Sequence, residues 1–317
     1  MRFAILGAGA LGTILGAHLS RAGHDVAMIA RGDRAQAIRR QGLVVSGLAS
    51  IEARPAVIDD PKNVGETDTL VVATKAIDTA ETLASIAHVR LQNALSLQNG
   101  VIKDELLARV FGPSRMLGAM ADFSGELLAS GEVKFTRNAG LYLGEAAVSG
   151  TSARAEEIAK IVDAAGVRCE ATPDIRTREW SKFAGWIPMF LLAVLTRQIT
   201  WKFLTDPQTA VVVVRIVRET AALAAALQIE LVDMSPLPVP SIVNASEERA
   251  IEIVRGVGKT FFEKSPAHRM SAQQDVLRGS RLESAETVGY ALEKSRAVGV
   301  PMPTLDSCYR ILSVAHP

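Results

Sequence analysis

The segment GAGALG, which follows the apolar stretch RFAIL at the start of the chain, constrains the possible folds more than any other feature of this sequence. It places Gly7, Gly9 and Gly12 in a GxGxxG pattern between a predicted strand and a predicted helix. In that context the first glycine permits a tight turn, the second lets the backbone approach a diphosphate, and the third lets helix and strand pack closely. The phosphates then lie at the helix N-terminus, here at Ala10 and Leu11. The motif therefore predicts a dinucleotide-binding site.

Four continuous apolar stretches alternate with helix-like stretches in the first half of the chain: RFAIL, HDVAMIAR, DTLVVATKA and NALSLQNG. Strands that are apolar on both faces and alternate with helices predict a parallel sheet with helices on both sides. Between them, LVVSGLASIEARPAVI predicts an inserted hairpin, and DTAETLASI predicts a helix. Later, GEVKFTRNAGLYLGE alternates as an antiparallel edge strand does. We predict a Rossmann-type α/β domain over residues 1–172.

From residue 173 onward the sequence becomes helical in character. The helix-like stretches are EWSKFAGWIPMFLLAVLTR, DPQTAVVVVRIVRETAALAAAL, ASEERAIEIVRGVGKTFFEK and ESAETVGYALEKSRAVG. Between two of them, VDMSPLPVPS is rich in proline and predicts a loop. The segment AVVVVRIV is compatible with core or with the face of a homodimer. We predict an all-helical domain over residues 173–317.

The composition excludes several classes of protein. With 317 residues, of which 48% are hydrophobic and 22% charged, the chain is long enough for two globular domains. A net charge of +1 provides no basic surface for a nucleic-acid backbone. The two cysteines, Cys169 and Cys308, and the five histidines show neither a disulfide framework nor metal-ligand spacing. We therefore expect no metal, no nucleic acid and a cytoplasmic location.

Two apolar segments imitate secretory or membrane sequences. Arg2 followed by an apolar run resembles a secretory signal, but the glycine pattern explains that run better. The run from Phe183 to Leu195 contains Pro188 and is shorter than the about 20 residues that a membrane span requires. We therefore expect no membrane partner. A buried helix remains, with Lys182 at its entrance as either a snorkelling surface group or a reagent.

The end of the second predicted strand indicates which dinucleotide is bound. An acidic residue about 20 positions after the glycines would bind the ribose hydroxyls of NAD. The segment IARGDR instead offers Arg31, with Arg34 as a helper, and a guanidinium can pair with the 2′-phosphate of NADP. The alternative is that Arg31 is a solvated loop residue. Asp33 lies beyond the strand end and is predicted to cap a helix.

Several motifs together resemble the ketopantoate reductase family over nearly the whole chain, in order and in spacing. They are GAGALG, the arginine that follows the second strand, TKA, LQNG, EWSKF and SAQQDVLRGSRLE. The most diagnostic piece is Ser271 and Glu283, set around Gln274 and Asp275. The resemblance implies NADPH-dependent reduction of 2-dehydropantoate, which is a 2-keto acid.

The resemblance also implies roles for individual residues. Lys182 resembles the catalytic lysine, which donates a proton to the carbonyl oxygen as hydride reaches the carbon, and such a cationic donor stabilises the developing alkoxide. Lys75 and Asn99 resemble residues of the cofactor cleft, with Asn99 also near the reacting carbonyl. Ser271 resembles the serine that holds the substrate carboxylate, and Glu283 resembles the substrate-binding glutamate. The residues alone also allow a solvated loop lysine, a helix N-cap and a surface carboxylate at positions 75, 271 and 283.

The sequence departs from the family pattern where the family recognises the substrate hydroxyl. One and two helical turns after the lysine, Trp186 and Phe190 stand where the family has asparagines. A further family asparagine would fall near Thr200, and His268 stands where the family usually has another, three residues before Ser271. We therefore expect an aromatic rather than a polar wall in the substrate pocket. His268 is either a new substrate-binding group or an exposed loop residue.

These observations predict an NADPH-dependent reductase that converts a 2-keto acid to a 2-hydroxy acid, with a more apolar pocket than its relatives. Two alternatives remain open: action on another ketone, and a non-catalytic NADP-sensing protein. The opine and 3-hydroxyacid dehydrogenase classes would require a histidine base or a second lysine motif in the helical half, and the sequence has neither.

Overall fold

The computed structural model describes residues 1–77, 79–146 and 150–316. The chain divides into two compact units, each described separately below. Unit 1 comprises Met1–Asn99 and Lys103–Ile175, and unit 2 comprises Gly100–Ile102 and Arg176–Pro317. The sequence predicted a division after residue 172, and it gave no sign that the short segment after Asn99 would join unit 2.

Unit 1 is an α/β structure, as predicted. Its described strands are β1 (Arg2–Leu6), β2 (Asp25–Ile29), β3 (Leu43–Gly47), β4 (Ile51–Ala53), β5 (Ala56–Ile58), β6 (Thr69–Val72), β7 (Asn93–Ser96), β8 (Gly118–Leu127), β9 (Val133–Gly144) and β10 (Cys169–Ala171). Its described α-helices are α1 (Ala10–Arg21), α2 (Gly32–Gln41), α3 (Thr79–Ala84), α4 (Ile102–Phe111) and α5 (Ala153–Ala165). The helix predicted for residues 78–86 is described only from Thr79 onward, because residue 78 lies outside the described ranges.

The first sheet contains the four predicted apolar strands. Its order is β5-β2-β1-β6-β7, and every pairing is parallel. In the centre of the sheet, Ile5 pairs with Met28 on one side and with Val71 on the other. All three side chains are buried, as strands covered on both faces require. The prediction of a parallel, doubly covered sheet is therefore confirmed.

The second sheet of unit 1 is mixed and corrects one prediction. Its order is β10-β9-β3-β4, and β8 pairs antiparallel with β9. The predicted hairpin is present as the antiparallel pair β3 and β4, but the end of the predicted stretch forms β5, which pairs parallel with β2 in the first sheet. Strand β9 was predicted to be an edge strand, but it pairs with β8 on one side and with β3 and β10 on the other. Its alternating pattern reflects one solvated face of the sheet, not a free edge.

Helix α1 connects the glycine segment to the core of unit 1. It contacts strands of both sheets, and residues Gly12–Leu19 are buried. Ile14 and Leu15 belong to the same apolar cluster as Phe3 and Phe135. The opposite face of the first sheet packs on a second cluster that includes Leu83 and Leu107 from helices α3 and α4. The start of α1 is therefore held firmly at the carboxyl end of β1.

Unit 2 is helical, as predicted. Its described α-helices are α6 (Ile175–Thr196), α7 (Thr200–Thr205), α8 (Pro207–Ala226), α9 (Val239–Val243), α10 (Glu247–Lys264), α11 (Ser271–Leu277), α12 (Tyr290–Ala297) and α13 (Pro303–Ala315). Helix α6 is buried on all sides from Phe183 to Val194, which explains its continuous apolar composition. No helix among the described residues is long and apolar enough to cross a membrane. Most of AVVVVRIV is core, because Val213, Val214 and Ile216 are buried.

One predicted helix of unit 2 is irregular. The segment ESAETVGYALEKSRAVG forms a π-helical turn, Ala285–Gly289, before α12 begins. The hydroxyl of Thr287 in this turn donates to the carbonyl oxygen of Glu283. Single π-helical turns occur often at functional sites. The irregularity lies directly after one of the predicted substrate-binding residues.

Candidate cofactor-binding and catalytic sites

The glycine segment has the geometry that a dinucleotide needs. Gly7 adopts φ +108°, and a Cβ atom there would lie 2.6 Å from the backbone nitrogen of Thr74. A Cβ atom on Gly12 would lie 2.1 Å from the carbonyl oxygen of Gly7. No side chain fits at either position, so only glycine allows the turn and the close packing of α1. The first amides of α1, at Ala10 and Leu11, have no partner within the helix and are available to an anion.

A pocket of about 390 Å³ opens beside this segment, at the carboxyl ends of β1, β2 and β6. Its lining residues are Leu6, Gly7, Ala8, Gly9, Ile29, Ala30, Arg31, Arg34, Pro61, Ala73, Thr74, Lys75, Thr82, Ser85 and Leu127. Three of them carry positive charge, and no described lining residue carries a carboxylate. This is the edge of a doubly wound sheet where ligands bind, and its charge suits an anionic ligand.

Arg31 lies at the start of α2 and is exposed at the pocket. Its backbone occupies the N-cap position, with φ −118° and ψ 162°. The prediction that Asp33 caps this helix is wrong, because Asp33 lies inside the first turn and makes no capping hydrogen bond. A carboxylate at that position still interacts favourably with the helix dipole. The Arg31 side chain therefore borders the pocket and does not cap the helix.

Arg34 has a different environment from the one expected of a helper to Arg31. Its Nε donates to the carbonyl oxygen of Ala8 at 2.8 Å, its Nη2 to Oγ1 of Thr13 at 2.8 Å, and its Nη1 to the carbonyl oxygen of Gly131 at 2.7 Å. Burial lowers the pKa of Arg34. The guanidinium therefore joins the glycine segment, helix α1 and the turn between β8 and β9.

Lys75 and Asn99 lie in unit 1, each shortly after a strand of the first sheet. Lys75 is exposed and lines the pocket, whereas Asn99 is half-buried and is not among the lining residues. Gln98 fixes the loop that carries Lys75, because its Nε2 lies 2.8 Å from both the carbonyl oxygen of Lys75 and Oγ1 of Thr79. Sequence reasoning missed this role of Gln98. The glutamine in LQNG, directly before Asn99, was the available signal.

In unit 2, Lys182 is a half-buried residue in the second turn of α6. The neighbouring Ser181 is completely buried. Its hydroxyl donates to the carbonyl oxygen of Thr177 at 2.7 Å and accepts from the backbone N–H of Val232 at 2.9 Å. The predicted proline-rich loop therefore anchors the helical turn from which Lys182 projects.

The aromatic residues that were expected to form pocket wall lie in the core of unit 2. Phe190 is 1% exposed and Trp186 is 7% exposed. Their ring centroids are 4.9 Å apart, with an angle of 34° between the planes. A side chain as buried as Phe190 presents no pocket surface, so the expected aromatic wall is wrong for this residue. The two positions still lack the amide groups of the family asparagines.

Ser271 and Glu283 occupy the second half of unit 2. Ser271 is exposed and is the first residue of α11, whose N-cap is Met270. The alternative role of Ser271 as an N-cap is therefore excluded. Glu283 is 9% exposed, so the alternative of an ordinary surface carboxylate does not hold either. A carboxylate buried to this degree requires polar partners.

Thr200 and His268 are hydrogen-bonded to each other. Oγ1 of Thr200 lies 2.8 Å from Nδ1 of His268, and the N–H of Thr200 donates to the carbonyl oxygen of His268 at 3.1 Å. Thr200 is buried, whereas His268 is exposed in the loop before α11. Nearby, Nε2 of Gln273 donates to the carbonyl oxygen of Arg197 at 2.7 Å. These bonds attach the start of α7 and the residues just before it to the segment that carries Ser271.

The fold and the pocket define a two-unit protein whose first unit is of the dinucleotide-binding Rossmann type. Residues 3–147 match the family model for ketopantoate reductase PanE/ApbA, and residues 174–316 match the model for its C-terminal part. The chain therefore belongs to the ketopantoate reductase family.

Individual relatives differ in how much of the chain they match. A 2-dehydropantoate 2-reductase of Archaeoglobus fulgidus is 36% identical over 182 residues, which cover 57% of this chain and 59% of the relative. A crystal structure of 2-dehydropantoate 2-reductase from Geobacter metallireducens is 27% identical, covers 99% of this chain and 100% of that one, and has a TM-score of 0.84. A ternary structure of D-mandelate dehydrogenase with NADH and anilino(oxo)acetate has a TM-score of 0.85 at 21% identity, with 100% and 98% coverage. The last likeness concerns the fold alone.

Proposed function

We propose that this protein uses NADPH to reduce a 2-keto acid to a 2-hydroxy acid, in the manner of ketopantoate reductases. The observation that carries the proposal is the pocket beside the glycine segment. It combines backbone amides for a diphosphate with Arg31, Arg34 and Lys75, and none of its described lining residues carries the carboxylate that NAD-binding sites use to hold the ribose. NADPH carries more negative charge than NADH and suits this lining better.

The residues of the chain fit a bound nicotinamide dinucleotide. Gly7 and Gly9 line the pocket without side chains, and the start of α1 offers amides that have no partner within the helix. When bound, the nicotinamide supplies hydride. Lys182 donates a proton to the ketone oxygen and stabilises the negative charge that develops there. This role of Lys182 rests on the family pattern.

Ser271 and Glu283 supply the polar groups for the substrate. The hydroxyl of Ser271 can donate to a substrate carboxylate, and the carboxylate of Glu283 can accept from a substrate hydroxyl. Asn99 has both a donor and an acceptor and can serve cofactor and substrate together. The absence of amides at positions 186 and 190 supports a substrate with a less polar tail than ketopantoate.

The decisive test is an NADPH-oxidation screen across 2-keto acids of graded size and polarity, including ketopantoate and aromatic 2-keto acids. Aromatic acids belong in the panel because the D-mandelate dehydrogenase structure contains anilino(oxo)acetate, a 2-oxo acid with an aromatic tail. We expect turnover with at least one 2-keto acid and turnover at least about a hundredfold slower with the Lys182→Ala variant. Tight NADPH binding without any turnover would favour a non-catalytic NADP-sensing protein. Turnover of simple ketones but not of 2-keto acids would favour an enzyme that acts on another ketone.

A homodimer and a cytoplasmic location remain predictions. Sedimentation velocity of the purified chain, with and without NADPH, tests the first. A single species with the mass of one chain would exclude the dimer under those conditions.

A further inference from the structure

The carbonyl group of Ala8 is fixed by two donors from outside the glycine segment. Nε of Arg34 donates to it at 2.8 Å, and Oγ1 of Thr13 donates to it at 3.2 Å. The peptide bond is planar and trans, so its C=O and N–H point in opposite directions. Holding the Ala8 carbonyl toward Arg34 therefore turns the N–H of Gly9 away from Arg34. Gly9 lines the pocket, and its N–H is one of the amides that a diphosphate would meet.

Arg34 is itself held by a third acceptor. Its Nη1 donates to the carbonyl oxygen of Gly131 in the turn between β8 and β9. Gln41, at the other end of α2, donates from Nε2 to the carbonyl oxygen of Ser130 in the same turn at 3.1 Å. A Cβ atom on Gly131 would lie 2.7 Å from Nε2 of Gln41 and 3.3 Å from Nη1 of Arg34. The turn therefore packs closely on α2 and restricts the Arg34 side chain.

The charge of Arg34 is only partly compensated. The three acceptors of its hydrogen bonds are neutral oxygen atoms, and no described carboxylate forms an ion pair with it. Half-burying a cation among neutral groups is unfavourable, and an anionic ligand nearby relieves that cost. Three of the five N–H donors of the guanidinium are engaged by these neutral oxygen atoms.

We propose that Arg34 is a positioning residue for the cofactor diphosphate. It acts through the peptide between Ala8 and Gly9 and through its charge, and it does not read the 2′-phosphate. The proposal rests on the proposed function, because it requires a nicotinamide dinucleotide in this pocket. It separates two neighbouring arginines by role: Arg31 distinguishes NADPH from NADH, and Arg34 supports the part that both cofactors share.

The test compares the dissociation constants of NADPH and NADH for the wild-type chain and five variants. Arg34→Gln should raise both constants by a similar factor, roughly tenfold to a hundredfold, the range for a lost hydrogen bond to a charged group. Arg31→Gln should raise the constant for NADPH alone. Arg39→Gln is the matched control in the same helix, since its side chain pairs with Asp59 at the exposed surface, and it should change neither constant. Where NADH binds too weakly for titration, its inhibition constant against NADPH replaces the direct measurement.

Two milder variants distinguish positioning from general damage. Thr13→Val removes one acceptor of Arg34 and one donor to Ala8, and it should raise both constants by a smaller common factor even if Arg34→Gln does not fold. Arg34→Lys keeps the charge but cannot reach three acceptors, so its constants should lie between those of wild type and Arg34→Gln. In variants that turn over, the Michaelis constant for NADPH should rise while kcat at saturating NADPH is retained.

Several outcomes would overturn the inference. A shift for NADPH alone in Arg34→Gln would make Arg34 a 2′-phosphate ligand and leave the proposed function intact. Unchanged constants in Thr13→Val and wild-type binding in Arg34→Lys would show that the Ala8 carbonyl needs no such support. If the wild-type chain binds neither cofactor, the proposed function fails and this inference fails with it.

Discussion

The two units of this protein present their candidate ligand groups in different ways. In unit 1 the groups are mostly backbone: the turn at Gly7, the start of α1 and the ends of parallel strands. In unit 2 they are side chains on helices, at Lys182, Ser271 and Glu283. A backbone site follows from local conformation, so a short motif predicts it well. A side-chain site depends on which helical faces pack together, and a motif states only which residues are present.

The two units also differ in what determines the residue type at each position. Positions 7 and 12 require glycine, because any Cβ atom there would lie less than 3 Å from a neighbouring backbone atom. Positions 186 and 190 carry large apolar side chains, Trp186 and Phe190, because both are buried in an apolar cluster that spans several helices. The residue types at these two positions therefore follow from how the helix packs, which a local motif does not state. Substitutions in the two units should accordingly have different consequences.

The largest expected effect concerns Lys182. Lys182→Ala should lower kcat by at least about a hundredfold with the best 2-keto acid, because general-acid catalysis contributes roughly 10²- to 10⁴-fold. The dissociation constant for NADPH should stay unchanged, since the proposed cofactor pocket is built from unit 1. Steady-state kinetics and fluorescence titration measure the two quantities. Near-normal turnover would make Lys182 a snorkelling residue.

The next effect tests whether Phe190 belongs to the core. Phe190→Ala should lower the free energy of unfolding by about 3–5 kcal/mol, as the truncation of a buried phenylalanine does. Phe262→Ala is the matched control, because Phe262 is 54% exposed and its main aromatic contact is Trp201. The control should cost at most about 1.5 kcal/mol, the value of one aromatic pair. Chemical denaturation measures both free energies of unfolding. If Phe190→Ala costs no more than Phe262→Ala, Phe190 is not a core residue.

Much of unit 1 could be predicted because its pattern is periodic and local. Four of the five strands of the first sheet, the hairpin β3 and β4, and the glycine turn all follow from short stretches of sequence. The position of β9 could not be predicted, since its pairing with β3 and β10 depends on distant segments. Arg34 was read as a phosphate-binding side chain because its partners, Ala8 and Gly131, are backbone carbonyls that no sequence pattern marks.

In unit 2 the helices were predictable and the site was less so. The apolar run of α6 correctly indicated a buried helix, but its sequence does not say which side chains face outward. Ser271 fits an N-cap by residue type, yet the helix begins one residue earlier than that role requires. The pairing of Thr200 with His268 joins residues far apart in the chain, and only the fold brings them together.

A smaller effect concerns the choice of cofactor in unit 1. Arg31→Ala should weaken NADPH binding by about 1.5–3 kcal/mol, the value of one hydrogen bond to a charged group, and should leave NADH binding unchanged. Arg39→Ala serves as the control for a general loss of positive charge in α2. Isothermal titration calorimetry at fixed salt measures all of these constants. An unchanged preference for NADPH would assign the 2′-phosphate to another residue of the pocket, such as Lys75.

The smallest expected effect concerns the substrate hydroxyl. A site that hydrogen-bonds a substrate hydroxyl binds that substrate more tightly than an analogue without the hydroxyl. A site without a partner leaves the hydroxyl unsatisfied, which weakens binding by about 1–3 kcal/mol. Because Trp186 and Phe190 offer no amide and Thr200 is bonded to His268, ketopantoate should have a lower kcat/KM than its analogue without the 4-hydroxyl group. The expected ratio is about tenfold to a hundredfold. If ketopantoate is instead better by more than about tenfold, other groups, with Glu283 first among them, hold the hydroxyl, and the pocket keeps the specificity of its family despite the lost asparagines.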